Sequence, residues 1–99
     1  MVQIRFLLVA KNDLKDIYDY IALDSKKYAK YQVEKIKNKT EILKSQIEIG
    51  KIVEEIGNPK IRELIEGNYR IIYRIVDKKT IHILMIHHSA RDLSKRTIY

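Results

Sequence analysis

The sequence predicts an α+β fold: an N-terminal strand, a two-helix antiparallel hairpin, then a three- to four-stranded antiparallel sheet. Three observations carry this. Residues 69–76 and 81–88 are uninterrupted runs rich in Ile, Val and Tyr, separated by the polar turn Asp77-Lys78-Lys79-Thr80. A shorter run, residues 61–65, leads into them through Glu66-Gly67-Asn68, so the three read as a meander. Ahead of Gly50, apolar residues recur at helical rather than strand spacing.

Taken in order, residues 2–10 open the chain as a strand. Val2, Ile4, Phe6 and Leu8 alternate against Gln3, Arg5, Leu7 and Val9, and the second set turns apolar towards its end, as in an interior or half-covered strand. Leu14, Ile17, Tyr18 and Ile21 then make one helical stripe, with Asn12 or Asp13 expected at the N-cap. Leu23-Asp24-Ser25 interrupts the stripe, and Asp24 or Ser25 can cap a second helix over residues 26–49. Its seam is Ala29, Val33, Ile36, Thr40, Leu43 and Ile47, with Gly50 as the stop. Residues 51–56 can add a short edge strand before the Gly57-Asn58-Pro59 turn. Both helices are expected on one sheet face. Ile36, Leu43, Ile71 and Ile83, with Leu84 or Ile86, are expected in the core.

Alternation gives the sheet two unlike faces. Tyr69, Ile71, Tyr73 and Ile75 share one, and Arg70, Ile72, Arg74 and Val76 the other. In the next run Ile81, Ile83, Met85 and His87 oppose His82, Leu84, Ile86 and His88. Arg70 and Arg74 therefore project together, either as rim charges that keep a face wet or as a rigid basic surface for an anionic partner.

Composition sets the bounds. The 99 residues make a single domain, 1–99, with a modest core. A 33% charged and 45% hydrophobic content is that of a globular chain. The absence of cysteine excludes disulfides and thiolate metal sites and fits a reducing cytoplasm. No apolar run approaches the roughly 20 residues of a membrane span. Residues 2–10 lack the cleavage site of a signal peptide. The net charge is +7, and residues 60–99 hold nine Lys/Arg against four Asp/Glu. That excess suits nucleic acid or an acidic protein.

The catalytic motifs are thin. His87 and His88 point to opposite strand faces, so no metal site is expected, and no cofactor. There is no phosphate-binding glycine loop and no nucleophile elbow. What remains is a basic constellation: Lys60, Arg62, Arg70, Arg74, Arg91 and Arg96, with His87, His88 and Tyr99. Such groups can supply cations and an acid to RNA cleavage by its own 2′-hydroxyl, but only a weak base.

The residues Arg62, Glu63, Leu64, Gly67, Tyr69, Arg70, Ile71, Ile72, Tyr73, Arg74 and Ile75, followed by His88, Arg91 and Leu93, resemble the RelE/ParE superfamily of toxins from type II toxin–antitoxin modules. The resemblance covers nearly the whole chain. It implies a RelE/ParE-like fold, growth arrest, and a cytoplasmic antitoxin partner whose C-terminal segment wraps the toxin. Two targets follow from its two branches. By resemblance to the RelE branch, a ribosome-dependent messenger-RNA endoribonuclease, Lys60, Arg62, Arg70, Arg91 and Tyr99 match catalytic positions. The spacing from Arg91 to Tyr99 exceeds what that branch has. The ParE branch, whose members poison DNA gyrase, is the closer local match through Arg62-Glu63-Leu64, the Arg74 repeat and the His88–Leu93 ending. On that reading Arg62, Arg70, Arg74, His87, His88 and Arg91 form a binding surface, and no bond-breaking group is needed. A non-toxic basic nucleic-acid-binding module is the alternative outside the superfamily.

Overall fold

The computed structural model describes residues 1–96. The elements run β1 (Gln3–Phe6), α1 (Leu8–Ala22), α2 (Lys26–Lys39), β2 (Lys51–Ile52), β3 (Ile61–Glu66), β4 (Tyr69–Asp77) and β5 (Thr80–His88). Short 3-10 turns cover Thr40–Lys44 and Leu93–Lys95. The five strands form one sheet in the order β1-β5-β4-β3-β2, so the first strand joins the meander rather than standing apart. It pairs with β5 in parallel, Gln3 with Thr80 through Phe6 with Ile83. The remaining pairs are antiparallel.

The hairpin turns follow from their residues. Between Glu66 and Tyr69 the loop is two residues, Gly67-Asn68, and Gly67 alone takes a positive φ of 59°. Glycine in the first central position is the signature of a type II′ turn, whose twist matches the strands it joins. Between β4 and β5 the loop is Lys78-Lys79, and the Asp77 carboxylate accepts the Lys79 N–H at 2.8 Å. That bond holds the Asp77 carboxyl below the usual carboxylate range.

The sheet is covered on both sides. On one face α1 and α2 close a core of Ala10, Leu14, Ile36, Leu43, Leu64, Ile71, Tyr73, Ile75, Ile81, Ile83 and Ile86. On the other, Val53 just past β2 and Leu93 of the last 3-10 turn descend onto Ile61, Ile72, Leu84 and Met85. Ile36, Leu43, Ile71, Ile83, Leu84 and Ile86 are all buried, as the periodicity predicts.

Four expectations are corrected. The first strand stops at Phe6, and α1 begins at Leu8 with Leu7 as an N-cap that offers no side-chain bond. Leu7 still bonds to Ile83 through its N–H and packs on the second core, so burial rather than capping sets the helix start. Asn12 and Asp13 therefore lie inside the helix. The second helix ends at Lys39, where the Thr40 hydroxyl turns back onto the Lys37 carbonyl at 2.7 Å and a 3-10 turn follows. Ser25 does cap it, accepting the Tyr28 N–H at 3.1 Å. Gly50 is not a left-handed helix stop but a close-approach residue. A Cβ there would lie 2.5 Å from the Tyr73 hydroxyl and 2.7 Å from the Glu63 carbonyl oxygen.

The fourth correction concerns face parity. Tyr73 pairs with Ile83 but Ile72 pairs with Met85, leaving Leu84 as an extra residue in β5. This bulge flips everything beyond it. Met85 and His87 leave the face of Ile81 and Ile83, and His87 stands opposite Arg70 instead.

Candidate functional site

Sheet geometry places Arg70 and Arg74 on one face, as their spacing predicts; it is the face without helices, and their surroundings there differ. Arg70 sits between two carboxylates. Its Nη1 and Nη2 meet Glu55 at 2.8 and 3.0 Å, and its Nε and Nη2 bond to Glu63 as well. Only 14% of the Arg70 side chain and 10% of that of Glu63 is exposed. The hydrogen bonds from Arg70 pull the Glu55 carboxyl down to about 2 and drive the guanidinium further up. This arginine is neutralised from within.

Arg62 is occupied too, on the helix side of the sheet opposite Tyr73. Its Nε donates to the Pro59 carbonyl at 2.9 Å, and Nη1 donates to the carbonyls of Glu48 and Gly50 at 3.1 and 2.9 Å. It ties the exit of the helical hairpin to the start of β3. The Tyr73 hydroxyl does the same from beneath, accepting the Gly50 N–H at 3.0 Å and donating to the Ile47 carbonyl at 2.9 Å. Burial pushes that phenol up.

A second constellation lies where α1 meets the end of β5. Asp13 receives Arg96 on both oxygens, at 3.0 and 2.9 Å, and its Oδ2 also accepts the Ile86 N–H at 2.9 Å. Asp13 thus caps a strand rather than its own helix. The Nε2 of His87 contacts the Arg91 carbonyl oxygen at 2.9 Å, and the Arg96 guanidinium lies 3.5 Å from His87 Nδ1. His88 Nδ1 accepts the Ala90 N–H, while its ring stands edge-on to Tyr69 at 5.4 Å. Together these groups line one side of an open cleft of about 870 Å³, faced by Asp16, Ile17, Tyr20 and Ile21 of α1. Arg91 is exposed at its mouth.

The basic constellation is therefore split. Arg62, Arg70 and Arg96 have their donors engaged within the chain, and Arg74, Lys60 and Arg91 have no ion pair among the described residues. Lys60 and Arg62 lie at the β3 end, Arg91 at the α1 cleft, and Arg70 between its two carboxylates, so they converge on no common point. Tyr99 lies outside the described residues. His87 and His88 belong to no group of three metal-ligating side chains among the described residues. Glu55, Glu63 and Asp13 were not expected from the sequence as arginine partners. Glu63 carries one signal, since it shares strand parity with the Arg70 face, but Glu55 lies in an irregular turn with no periodicity to place it.

A further apolar surface runs along the helical hairpin. Tyr20, Leu23, Tyr28 and Tyr31 are exposed there, Leu23 by 82% and Tyr20 by 76%, and the rings of Tyr28 and Tyr31 lie 6.2 Å apart. Among the described residues no helix is long and apolar enough to cross a membrane.

A short strand, a helical hairpin and a meander, with arginines bound into the framework rather than gathered in a catalytic pocket, define a small α+β protein of the RelE/ParE architecture. The family described as "ParE toxin of type II toxin-antitoxin system, parDE" matches residues 4–93, and the chain belongs to it. Among solved structures, the chain is similar to one titled "Chromosomal ParDE TA system from P. aeruginosa", at 27% identity and a TM-score of 0.72. The match covers 89% of this chain and 96% of that one. It also shares its fold with "The crystal structure of the toxin-antitoxin complex RelBE2 (Rv2865-2866) from Mycobacterium tuberculosis", at 24% identity and a TM-score of 0.58. There 88% of this chain and 96% of the other are covered. No curated relative matches the chain.

Proposed function

We propose that this chain is the toxin of a type II toxin–antitoxin pair, that it works in the cytoplasm, and that it arrests growth by inhibiting DNA gyrase. The observation that carries the reading is the family match across residues 4–93. The site geometry supports its non-nucleolytic form. A ribonuclease of the RelE kind needs cations free to meet a phosphorane and a group that titrates near the working pH. Arg62 spends its donors on backbone carbonyls and Arg70 on Glu55 and Glu63, while Arg stays protonated throughout. Arg74, Arg91 and the half-buried His88 are then recognition groups for the target, and Arg62, Arg70 and the buried His87 hold the surface that presents them.

The partner on this reading is an antitoxin, the kind of companion named in both structural titles. A segment that orders on binding needs apolar contact to offset its lost entropy. The helical hairpin offers Tyr20, Leu23, Tyr28 and Tyr31 for that purpose. Expression of the chain alone should halt bacterial growth, and co-expression of the neighbouring antitoxin frame should restore it. Normal growth at high soluble expression without a partner would refute the toxin reading. Codon-positioned messenger-RNA cuts during the arrest would replace gyrase with the ribosome as the target.

A further inference from the structure

We propose that Arg5, His82 and Arg74 form a binding site for the phosphodiester backbone of a nucleic-acid duplex. The placement comes from the sheet register. Arg5 of β1 pairs with His82 of β5, and His82 pairs with Arg74 of β4. The three side chains leave one face in a straight row across three strands, each step about 4.8 Å, so the outer pair stands roughly 10 Å apart. Their face is the one without helices, since the fourth residue of the row is Ile61, which belongs to the second core. Arg5 is exposed, and His82 and Arg74 are half-buried, so the sheet fixes the root of each group.

Charge sets this row apart from Arg62, Arg70 and Arg96. Among the described residues, Arg5, His82 and Arg74 make no ion pair, whereas Arg62, Arg70 and Arg96 each meet a carboxylate. Lys60 and the Lys78-Lys79 turn add exposed cations at the same end of the sheet. Two carboxylates lie nearest by register: Glu63, diagonal to Arg74 on the same face and held by Arg70, and Asp77, which pairs with Thr80 and is engaged by the Lys79 N–H. Two guanidinium forks and an imidazole without counter-charge raise a positive field that an anion would relieve. Phosphate oxygens suit the planar arginine fork.

The surroundings decide which anion. A peptide that orders on binding needs apolar anchors, and beside the row the only large exposed apolar side chain on β4 or β5 is Val76. A single strand needs aromatic platforms for its bases. Here Phe6 and Tyr73 pair on the opposite face with Ile83, and both pack in the helix-side core. A duplex asks only for cations at phosphate spacing. The site stands whether or not gyrase is the target, because binding is measured with no other protein present.

The test is fluorescence anisotropy of the full chain on labelled DNA and RNA duplexes of about 20 base pairs, from about 50 to 200 mM salt. Affinity should fall steeply with salt and be indifferent to sequence. The Arg5→Ala/Arg74→Ala double variant should bind at least about tenfold more weakly and flatten the log–log salt slope by about 2. Arg5→Glu alone, at an exposed edge position that leaves folding unaffected, should weaken binding as well. Lys26→Ala/Lys27→Ala on α2 should change neither quantity. Binding to either duplex upholds the site, and the ratio of the two names the source of the phosphates. No salt-dependent duplex binding would overturn the proposal. So would an equal loss from the Lys26/Lys27 pair, which would indicate diffuse net charge, or a preference for single strands over duplexes.

Discussion

Removing Arg70 should unfold the protein partway, and removing its carboxylates along with it should restore the fold. In Arg70→Ala the Glu63 carboxylate, 10% exposed, keeps its burial and loses its counter-charge, while Glu55, 36% exposed, recovers part of its hydration. Breaking a buried pair from one side costs about 3–5 kcal/mol, and the exposure of Glu55 places this case near about 3. For a 99-residue domain that lowers Tm by roughly 12–24 °C. The triple variant Glu55→Gln/Glu63→Leu/Arg70→Met leaves no unpaired charge and should return to within about 1 kcal/mol of the parent. Urea denaturation gives both values, and growth arrest gives the functional readout. If Arg70 is framework, the triple variant folds and still arrests growth. A triple variant that folds but no longer arrests, or an Arg70→Ala variant as stable as the parent, would refute the reasoning.

Other outcomes follow from the same structure. Tyr73→Phe strands the buried Gly50 N–H and the Ile47 carbonyl and should cost about 2–3 kcal/mol in denaturant midpoints. Gly50→Ala should destabilise as well, because one neighbour of the added Cβ is the Glu63 backbone. Ile36→Asp places an unpaired charge in the helix-side core and should cost roughly 4 kcal/mol. The Glu55 carboxyl is held at about 2 in the fold, below its unfolded value of 4.5. A depressed carboxylate contributes stability above the unfolded value and loses it as pH falls through the folded one. Acid titration of stability should therefore show a Glu55-dependent loss between about pH 4.5 and 2 that Glu55→Gln abolishes.

The sequence carried the meander and the helical hairpin because each is locally encoded. Gly67-Asn68 and Asp77-Lys78-Lys79-Thr80 are turn chemistry, and the seam from Ala29 through Leu43 has a helical period. It did not carry the parallel pairing of β1 with β5, which brings Arg5 beside His82 across most of the chain. Nor did it carry the bulge. The run Ile83-Leu84-Met85-Ile86 is apolar throughout, so no polar residue marks its phase. The candidate site was legible as a list of cations but not as a partition among them. Which arginines are occupied depends on Glu55, in an irregular turn, and on carbonyls released where the second helix ends at Lys39 rather than running on to Ile49.

The most direct measurement for the target is gyrase supercoiling of relaxed plasmid by purified enzyme in the presence of the purified chain, scored together with cleavage-complex formation. Inhibition of supercoiling, with cleaved complexes accumulating and with arrest intact in the Glu55/Glu63/Arg70 triple variant, is the predicted result. Supercoiling untouched at concentrations that cut messenger RNA on translating ribosomes, with cuts that vanish in Arg70→Ala but persist in equally destabilised Ile36 variants, would contradict it.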